Sequence, residues 1–194
     1  MSKLARKPIK FPPNVTVKLD SNVLKIKGPK GMLDKPVPEG VGLAITGDSV
    51  MVSRNSDEKS AKMIHGMYTS LIINMIKGVT EGYKKEMELI GVGYKADVKD
   101  KALILNVGFT NPVRISLPPD INVKVEEKQT KLIITGLDKD RVGLYASKIR
   151  AIKPPDSYKG KGIKFVGEVL VLKPGKSAAG AAGGAGGAAA GGGK

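Results

Sequence analysis

The residues of this chain best suited to binding chemistry lie in one short stretch near its C-terminal end, Pro154-Pro-Asp-Ser-Tyr-Lys-Gly-Lys-Gly-Ile-Lys-Phe165. At its centre glycines alternate with lysines, an arrangement that lets a polyanion backbone approach the loop amides while ammonium groups reach phosphates. We therefore interpret the stretch as a contact site for RNA. The residues expected to neutralise phosphate or to allow its close approach are Lys153, Lys159, Gly160, Lys161, Gly162 and Lys164.

Aromatic and proline side chains flank these lysines and favour a preformed loop. Tyr158 and Phe165 are placed to stack on a base or a sugar. Pro154-Pro155 would stiffen the entrance to the loop and reduce the entropy that is lost on binding. The alternative is a solvated basic turn in which Tyr158 packs inward as an anchor, and the composition of the stretch favours RNA contact over it.

The distribution of charge along the chain points to the same partner. The 194 residues include 33 Lys and Arg against 18 Asp and Glu, a formal charge of +15, and nearly all of the excess lies in residues 1–35 and 148–176. Positive charge concentrated in this way implies an anionic partner, most often a phosphate backbone. The residues expected to widen the RNA contact are Lys173, Lys176, Lys3, Arg6 and Lys7.

An anionic membrane surface is the alternative partner for so basic a chain. Membrane-surface binding usually depends on an amphipathic helix with a basic face, and prolines interrupt both basic segments. The chain has no apolar run long enough to span a membrane, and its basic start lacks the apolar region of a secretory signal. A basic membrane-surface or protein-scaffold module that does not bind RNA is kept as the second hypothesis.

Residue types suited to catalysis or metal binding are scarce. The chain has no Cys and one His, His65, which argues against thiolate metal sites, Cys nucleophiles and His-based metal clusters. Carboxylate pairs such as Glu86 and Glu88 lie among cations, where solvated surface charge is the ordinary interpretation, although sequence does not show whether carboxyl groups meet in space. We expect no enzyme activity, no metal ion, no cofactor and no small-molecule substrate.

Two glycine-rich stretches imitate nucleotide-binding motifs. Gly91-Val-Gly-Tyr-Lys-Ala96 fits the G-x-G-x-x-A pattern, but strand-like residues follow it where the motif requires the N-terminus of a helix. Gly175-Lys176-Ser177 resembles the end of a P-loop, but Leu170 stands where that pattern requires glycine. We interpret the first as a glycine-kinked strand and the second as a coincidence.

The elements that must position the basic stretch form an α+β pattern. Apolar residues at three-and-four spacing predict helices over Asp57–Val79 and Asp138–Ile152, the second of which ends before Pro154-Pro155. Strands paired with their neighbours and covered by one helix in each half indicate an α+β architecture with antiparallel sheets. The predicted strands are Val15–Leu19, Val23–Lys27, Glu86–Val98 (strand-like throughout), Ala102–Gly108 and Glu168–Leu172.

An internal repeat predicts that this pattern occurs twice. Ile9–Leu19 aligns with Ile115–Val125 at an offset of 106 residues through a shared Pro-Pro pair, and Ser49–Ser53 resembles Lys131–Thr135 at an offset of 82. The difference between the offsets would give the first copy an additional hairpin. Duplication explains the shared order of strands and helix better than chance similarity between Val- and Ile-rich strands.

We therefore expect two duplicated domains and a tail. Residues 1–81 and 82–176 would each form an antiparallel sheet packed against one main helix, and the second domain would be the main RNA-binding unit. Residues 177–194 contain only Ala, Gly, one Ser and one Lys, and offer no side chains from which to build a core. We expect them to form a disordered Ala/Gly-rich tail.

The basic stretch resembles the signature of the bacterial-type large-subunit ribosomal protein L6 (uL6) family. In this family Tyr-Lys-Gly-Lys-Gly is followed by an aliphatic residue, and Pro155-Asp-Ser-Tyr-Lys-Gly-Lys-Gly-Ile163 meets that pattern. The resemblance extends through nearly the whole chain except the tail. Other matching stretches are Arg6-Lys7-Pro8-Ile9, His65-Gly66, Asn74-Met75, Gly91–Ala96, Asp138-Lys139, Val142-Gly143, Ile149-Arg150, Gly167-Glu168 and Gly175-Lys176.

The resemblance implies a duplicated α+β fold and a structural, non-catalytic role in the large ribosomal subunit, in support of translation. It also implies binding to large-subunit (23S-type) rRNA near the sarcin–ricin region and the stalk base, where translation factors act. In the family the second domain makes the main RNA contacts. Neighbouring large-subunit ribosomal proteins are the implied protein partners, and the cytoplasm of a bacterium is the expected location.

Overall fold

The computed structural model describes residues 7–126 and 129–175, which form short antiparallel strands and two helices. The helices are α1 (Lys59–Thr80) and α2 (Lys139–Ile152). The strands are β1 (Ile9–Lys10), β2 (Thr16–Asp20), β3 (Val23–Gly28), β4 (Gly31–Pro36), β5 (Val41–Thr46), β6 (Ser49–Arg54), β7 (Tyr83–Ile90), β8 (Lys95–Lys99), β9 (Ala102–Asn106), β10 (Val113–Ser116), β11 (Ile121–Glu126), β12 (Lys131–Gly136) and β13 (Gly162–Phe165).

The strands of the described residues form four antiparallel sheets, two before α1 and two associated with α2. The first half contains the sheets β1-β6-β5 and β2-β3-β4, and the second contains β8-β9-β10 and β11-β12-β7-β13. Most pairs join strands that are consecutive in the chain. The pairs that β7 makes with β12 and β13 are long-range, and they bring the C-terminal segment back onto the second half.

Both helices begin and end within two residues of the limits that the sequence predicts. Both helices bury one face, which includes Tyr68 and Ile72 in α1 and Tyr145 and Ile149 in α2. The first helix begins at Lys59 and not at Asp57, whose carboxylate instead accepts hydrogen bonds from Arg54 at 2.7 and 2.9 Å.

Each helix packs on a separate apolar core. One core draws its buried residues from Ile9 to Val79 and centres on Leu24, Ile26, Val50 and Ile72. The other draws its residues from Met87 to Ile163 and includes Leu103, Leu132 and Ile149. The predicted α+β architecture in two duplicated halves is confirmed, whereas the predicted domain limits stay a prediction.

The two halves repeat at an offset near 80 residues and not at 106. The hairpin of β2 and β3 turns at Ser21-Asn22, and that of β8 and β9 turns at Asp100-Lys101. All four turn residues have positive φ, between 44° and 66°, the conformation of a two-residue hairpin turn. The central strand β6 pairs with β1 and β5, as β12 pairs with β7 and β11.

The Pro-Pro alignment was therefore wrong, and the structure gives the physical reason. The strands β5 and β11, which are equivalent, are each preceded by one turn, closed by a hydrogen bond from Val41 N to Pro38 O (3.4 Å) and from Ile121 N to Pro118 O (3.1 Å). The same turn also occurs at Pro12, where Val15 N donates to Pro12 O at 3.0 Å. A shared local turn before non-equivalent strands produced the offset of 106, and the expected additional hairpin in the first copy is absent from residues 7–80.

Two strand predictions in the second half also needed correction. Glu86–Val98 is interrupted by a bend at residues 91–94, so it forms the end of β7 and most of β8. Glu168–Leu172 is extended but not part of a sheet, and the last strand of the described residues is β13. The Ala/Gly tail lies outside the described residues, as do Lys3, Arg6 and Lys176.

The two halves meet where the end of α1 lies beside the start of α2. Lys35 of β4 forms an ion pair with Asp138, the N-cap residue of α2, at 3.2 Å. A Cβ atom added to Gly78 of α1 would overlap the carbonyl oxygen of Leu137. Neither α1 nor α2, the helices of residues 7–126 and 129–175, is long and apolar enough to cross a membrane.

Candidate RNA interface

The loop between α2 and β13, residues 153–161, is held in one shape by its own backbone and by one carboxylate. The carbonyl oxygen of Asp156 accepts from Gly160 N (2.9 Å), and its carboxylate accepts from Lys159 N (3.0 Å). Asp156 N in turn donates to Lys161 O at 2.9 Å. The basic loop, as we call residues 153–161, is therefore a closed turn that carries two exposed lysine side chains.

Gly160 of the basic loop and Gly162, the first residue of β13, are needed for the packing of the loop. Gly160 and Gly162 are both buried. A Cβ atom on Gly162 would come within 2.6 Å of Pro154 O and Pro155 Cα, and Gly160 has a φ of +67°, which side chains rarely adopt. The glycines thus allow the chain to close on itself, and their predicted contact with RNA stays a prediction.

Tyr158 projects from the basic loop towards solvent. Its side chain is 61% exposed, so the inward packing expected in the alternative of a solvated basic turn is wrong, whereas the choice between that turn and an RNA contact stays a prediction. Phe165 behaves differently, because it packs against the core of the second half, with the ammonium group of Lys85 5.8 Å from its ring centroid. Of the two aromatic residues proposed to stack, Tyr158 is the one that presents its ring at the surface.

The predicted lysines fall into two groups according to their contacts. Lys153 lies over the ring of Phe109, at 5.1 Å from its centroid, and Lys164 forms an ion pair with Glu88 at 3.6 Å. Lys159 and Lys161 are exposed and form no ion pair within residues 7–126 and 129–175. Among the lysines of the loop, these two have neither an ion pair nor an aromatic ring from the described residues against the ammonium group.

Two outlying predicted residues can also be placed. Lys173 is exposed, and its backbone amide donates to Ser157 O at 2.8 Å, which puts it beside the basic loop. Lys7 is exposed just before β1, in the first half of the chain, whereas the loop belongs to the second. The structure thus joins Lys173 to the basic loop through a hydrogen bond and assigns Lys7 to the other half.

The segment of residues 166–173, which we call the strap, runs back along the basic loop and packs against it. Glu168 accepts two hydrogen bonds from Arg150 of α2, at 2.6 and 3.3 Å, and one from Phe165 N at 3.0 Å. Leu170 and Leu172 lie over Gly160. The Arg150 hydrogen bonds lower the pKa of the Glu168 carboxyl, and the same pair raises the pKa of Arg150.

Sequence reasoning missed the strap as part of the site. Its signal was present, because Glu168 is one of only two acids in the basic segment 148–176, the other being Asp156. Both of these acids form structural hydrogen bonds within the site. A lone carboxylate in a strongly basic segment can thus indicate where the fold of that segment is fixed.

A glycine bend lies next to the basic loop. Ile90, the last residue of β7, pairs with Gly162, so residues 91–94 emerge beside the loop. No helix follows the bend, which argues against the dinucleotide motif, and the predicted kinked strand is instead two strands, β7 and β8, joined by the bend. Val92 at its tip is 91% exposed and adds apolar surface to this end of the molecule.

Other potential sites lie away from the basic loop. A cavity of about 240 Å³ is found where the two halves meet, lined by residues that include Leu33, Met67 and Leu137. The described residues contain no group of three or more Asp, Glu or His placed to hold a metal ion. The basic loop with its strap is therefore the site that the charge distribution and the geometry both support.

Known proteins resemble this chain over most of its length. The family model described as "Ribosomal protein L6" matches residues 11–82 and again residues 90–166. A protein from Caldicellulosiruptor saccharolyticus, named "Large ribosomal subunit protein uL6", is 45% identical over 93% of this chain and 98% of its own length. Proteins of the same name from Thermotoga maritima and Prochlorococcus marinus (strain MIT 9211) are each 45% identical, over 92% and 91% of this chain and 100% and 98% of their own lengths.

Proposed function

This chain belongs to the ribosomal protein L6 family, and we propose that within the large ribosomal subunit it binds large-subunit (23S-type) rRNA through the basic loop. The family consists of structural, non-enzymatic proteins, so the chain is a structural constituent of the ribosome that serves translation. Its role in the subunit would be to hold folded rRNA in place.

The uncompensated charge of Lys159 and Lys161 carries the proposal. Each ammonium group that neutralises a phosphate releases a counterion, so each contact changes the slope of log affinity against log salt by about 0.7 to 0.9. The loop is already closed without a ligand, because Asp156 forms three hydrogen bonds with the backbone of Lys159, Gly160 and Lys161. Little conformational entropy would therefore be lost when the loop binds RNA.

The remaining predicted residues have graded roles in this proposal. Tyr158 would stack on an unpaired base or a sugar. Lys173 would extend the phosphate contact, together with Lys153 and Lys164, which already contact Phe109 and Glu88. Gly160 and Gly162 would bring the loop backbone close to the RNA. Contacts from Lys3, Arg6, Lys7 and Lys176 would be more peripheral.

We also propose the position that the family resemblance implies. The second domain, residues 82–176, would contact rRNA near the sarcin–ricin region and the stalk base, where translation factors act. Neighbouring large-subunit ribosomal proteins would complete its surroundings in the cytoplasm of a bacterium. The basic surface of the second half supports this orientation, because both the loop and the strap belong to it.

The test is a salt titration of RNA binding by the full chain. The RNA would be a large-subunit fragment that includes the sarcin–ricin region and the stalk base. We expect Lys159→Ala and Lys161→Ala each to reduce the magnitude of the salt slope by about one. Lys124→Ala, which removes an exposed lysine of β11 outside the loop, serves as the matched control and should leave the slope unchanged.

The same proteins distinguish the second hypothesis. Flotation with vesicles of phosphatidylserine would detect a membrane-surface module, and binding to them in preference to the RNA fragment would contradict the proposal. An unchanged salt slope in both loop variants would remove the two lysines from the site. Retention of the chain on large subunits in a high-salt gradient would support the ribosomal placement independently of the fragment.

A further inference from the structure

The outer strand of the first half, β5, has an unusual composition for a sheet edge. It lies at the end of the order β1-β6-β5 and reads Val-Gly-Leu-Ala-Ile-Thr, without a charged residue or a proline. Natural edge strands usually carry charges or prolines, because an unprotected edge pairs with other chains. Ala44, Ile45 and Thr46 are moreover exposed.

The equivalent strand in the second half provides an internal comparison. The strand β11 is also the outer strand of its sheet, but its sequence Ile-Asn-Val-Lys-Val-Glu carries Lys124 and Glu126. The two strands occupy the same place in the duplicated fold, beside β6 and β12 respectively. The lack of charge on β5 is thus a property of that strand and not of the fold.

The hairpin register shows which backbone groups of β5 face outward. Thr46 and Ser49 are partners across the two-residue turn Gly47-Asp48, so their pair closes the ladder and hydrogen-bonded pairs alternate from there. The amide and carbonyl groups of Leu43 and Ile45 then point away from β6. Within residues 7–126 and 129–175, no turn or loop backbone group bonds to either amide.

The sequence segment that contains this edge has a net charge opposite in sign to that of the whole chain. Residues 36–58 contain four carboxylates and one cation, in a protein whose formal charge is +15. Glu39 and Asp48 stand at the two ends of β5, are exposed, and form no ion pair within the described part of the chain. An acidic edge repels a phosphate backbone and attracts a basic polypeptide.

We propose that β5 binds an extended, Lys- or Arg-rich segment of a partner protein, which adds to the β1-β6-β5 sheet as a fourth strand. Main-chain hydrogen bonds to Leu43 and Ile45 supply the pairing. Glu39 and Asp48 select for positive charge at the two ends of the segment. The basic loop and the edge of β5 then serve different partners, RNA on the second half and a basic polypeptide on the first.

Hydrogen exchange of the full chain tests the pairing directly. The probe is the peptide Lys-Val-Lys-Val-Lys-Val-Lys, with Glu-Val-Glu-Val-Glu-Val-Glu as its control. We expect the basic peptide to slow exchange of the Leu43 and Ile45 amides by about tenfold or more at saturation, because both amides gain hydrogen bonds. Unchanged exchange at these amides, or equal protection by the acidic peptide, would overturn the proposal.

Two variants separate strand addition from general attraction. Ile45→Pro removes an outward amide and no ladder hydrogen bond, so it should abolish peptide binding while Ile45→Val retains it. Glu39→Lys combined with Asp48→Lys should transfer the preference to the acidic peptide, and this variant decides the matter if Ile45→Pro unfolds. Binding that is unaffected in both would contradict the proposal.

The remaining outcomes concern other occupants of the edge. Concentration-dependent dimerisation in analytical ultracentrifugation, with the Leu43 and Ile45 amides protected in the absence of peptide, would assign the edge to a second copy of this chain. Protection of the same amides by the large-subunit RNA fragment would assign it to RNA. Either result would overturn the assignment to a basic polypeptide without affecting the test of the basic loop.

Discussion

Tyr158 is the aromatic side chain of the basic loop that is exposed and free to stack. Stacking of a base on an aromatic ring contributes about 1–3 kcal/mol. We therefore expect Tyr158→Leu to weaken RNA binding by roughly 5- to 150-fold, and Tyr158→Phe to preserve most of the affinity. Full affinity in the leucine variant, measured by filter binding at fixed salt, would show that the ring does not stack.

Gly162 is the residue at which the loop has least room. A methyl group there would collide with the Pro154 carbonyl and the Pro155 backbone, neither of which is a flexible side-chain end. We expect Gly162→Ala to lower the free energy of unfolding by about 1–3 kcal/mol, the usual cost of overpacking. Thermal unfolding measures the change, and Gly175→Ala, whose added methyl meets no atom, is the control that should have little effect.

At the scale of elements, the strap supports the shape of the basic loop. Its anchor is the Arg150–Glu168 pair, which joins α2 to the segment that covers Gly160. We expect Glu168→Gln to weaken RNA binding several-fold although Glu168 would not touch RNA, because the loop would lose its support. Faster exchange of the Gly160 amide would accompany the loss, and Glu126→Gln, at an exposed residue of β11, should change neither quantity.

The same pair predicts a dependence of stability on pH. Arg150 lowers the pKa of Glu168 in the folded protein, so the ionised carboxylate stabilises the fold at pH values above its ordinary pKa of 4.5. This contribution is lost as the pH falls through the lowered pKa. We expect wild type and Glu168→Gln to differ in melting temperature at pH 7 and to converge once the pH lies below the lowered pKa of Glu168. A difference that persists under acid conditions would contradict the role of the ion pair.

The sequence predicts those parts of the architecture that depend on residues close together in the chain. The helices were predicted within two residues because their apolar spacing is local, and the turn cluster at Asp20-Ser21-Asn22 marked the first hairpin. The pairing of β13 with β7 joins residues far apart in the chain, so no local sequence pattern predicts it. Alternate side chains of Glu168–Leu172 face the basic loop, because Leu170 and Leu172 of the strap cover Gly160. A strand with one buried face shows the same alternation, so the sequence pattern does not distinguish the two.

The candidate site was predicted by composition and refined by packing. Lys159 and Lys161 are exposed, and their contact with phosphate stays a prediction. The contact of Lys153 with Phe109 and the ion pair of Lys164 with Glu88 could not be predicted, since both partners are more than 40 residues away along the chain. The role of the glycines in closing the loop likewise depends on neighbours that only the fold brings together.

At the scale of the whole molecule, the junction of the two halves is closely packed. Gly78 of α1 faces the backbone of Leu137 without room for a methyl group, and Lys35 pairs with Asp138 nearby. We expect Gly78→Ala to destabilise the protein by about 1–3 kcal/mol, despite the higher helix propensity of alanine. Gly143→Ala, in α2 with open space around it, should instead be neutral or stabilising in the same denaturant titration.

The contact at Gly78 also bears on how binding at one end is felt at the other. A joint that cannot admit a single carbon atom leaves little freedom for bending, so the outer strand of the first half and the lysine turn of the second keep one separation. If β5 and the basic loop bind the partners proposed for them, the fold and not either partner would determine the distance between the polypeptide and the RNA.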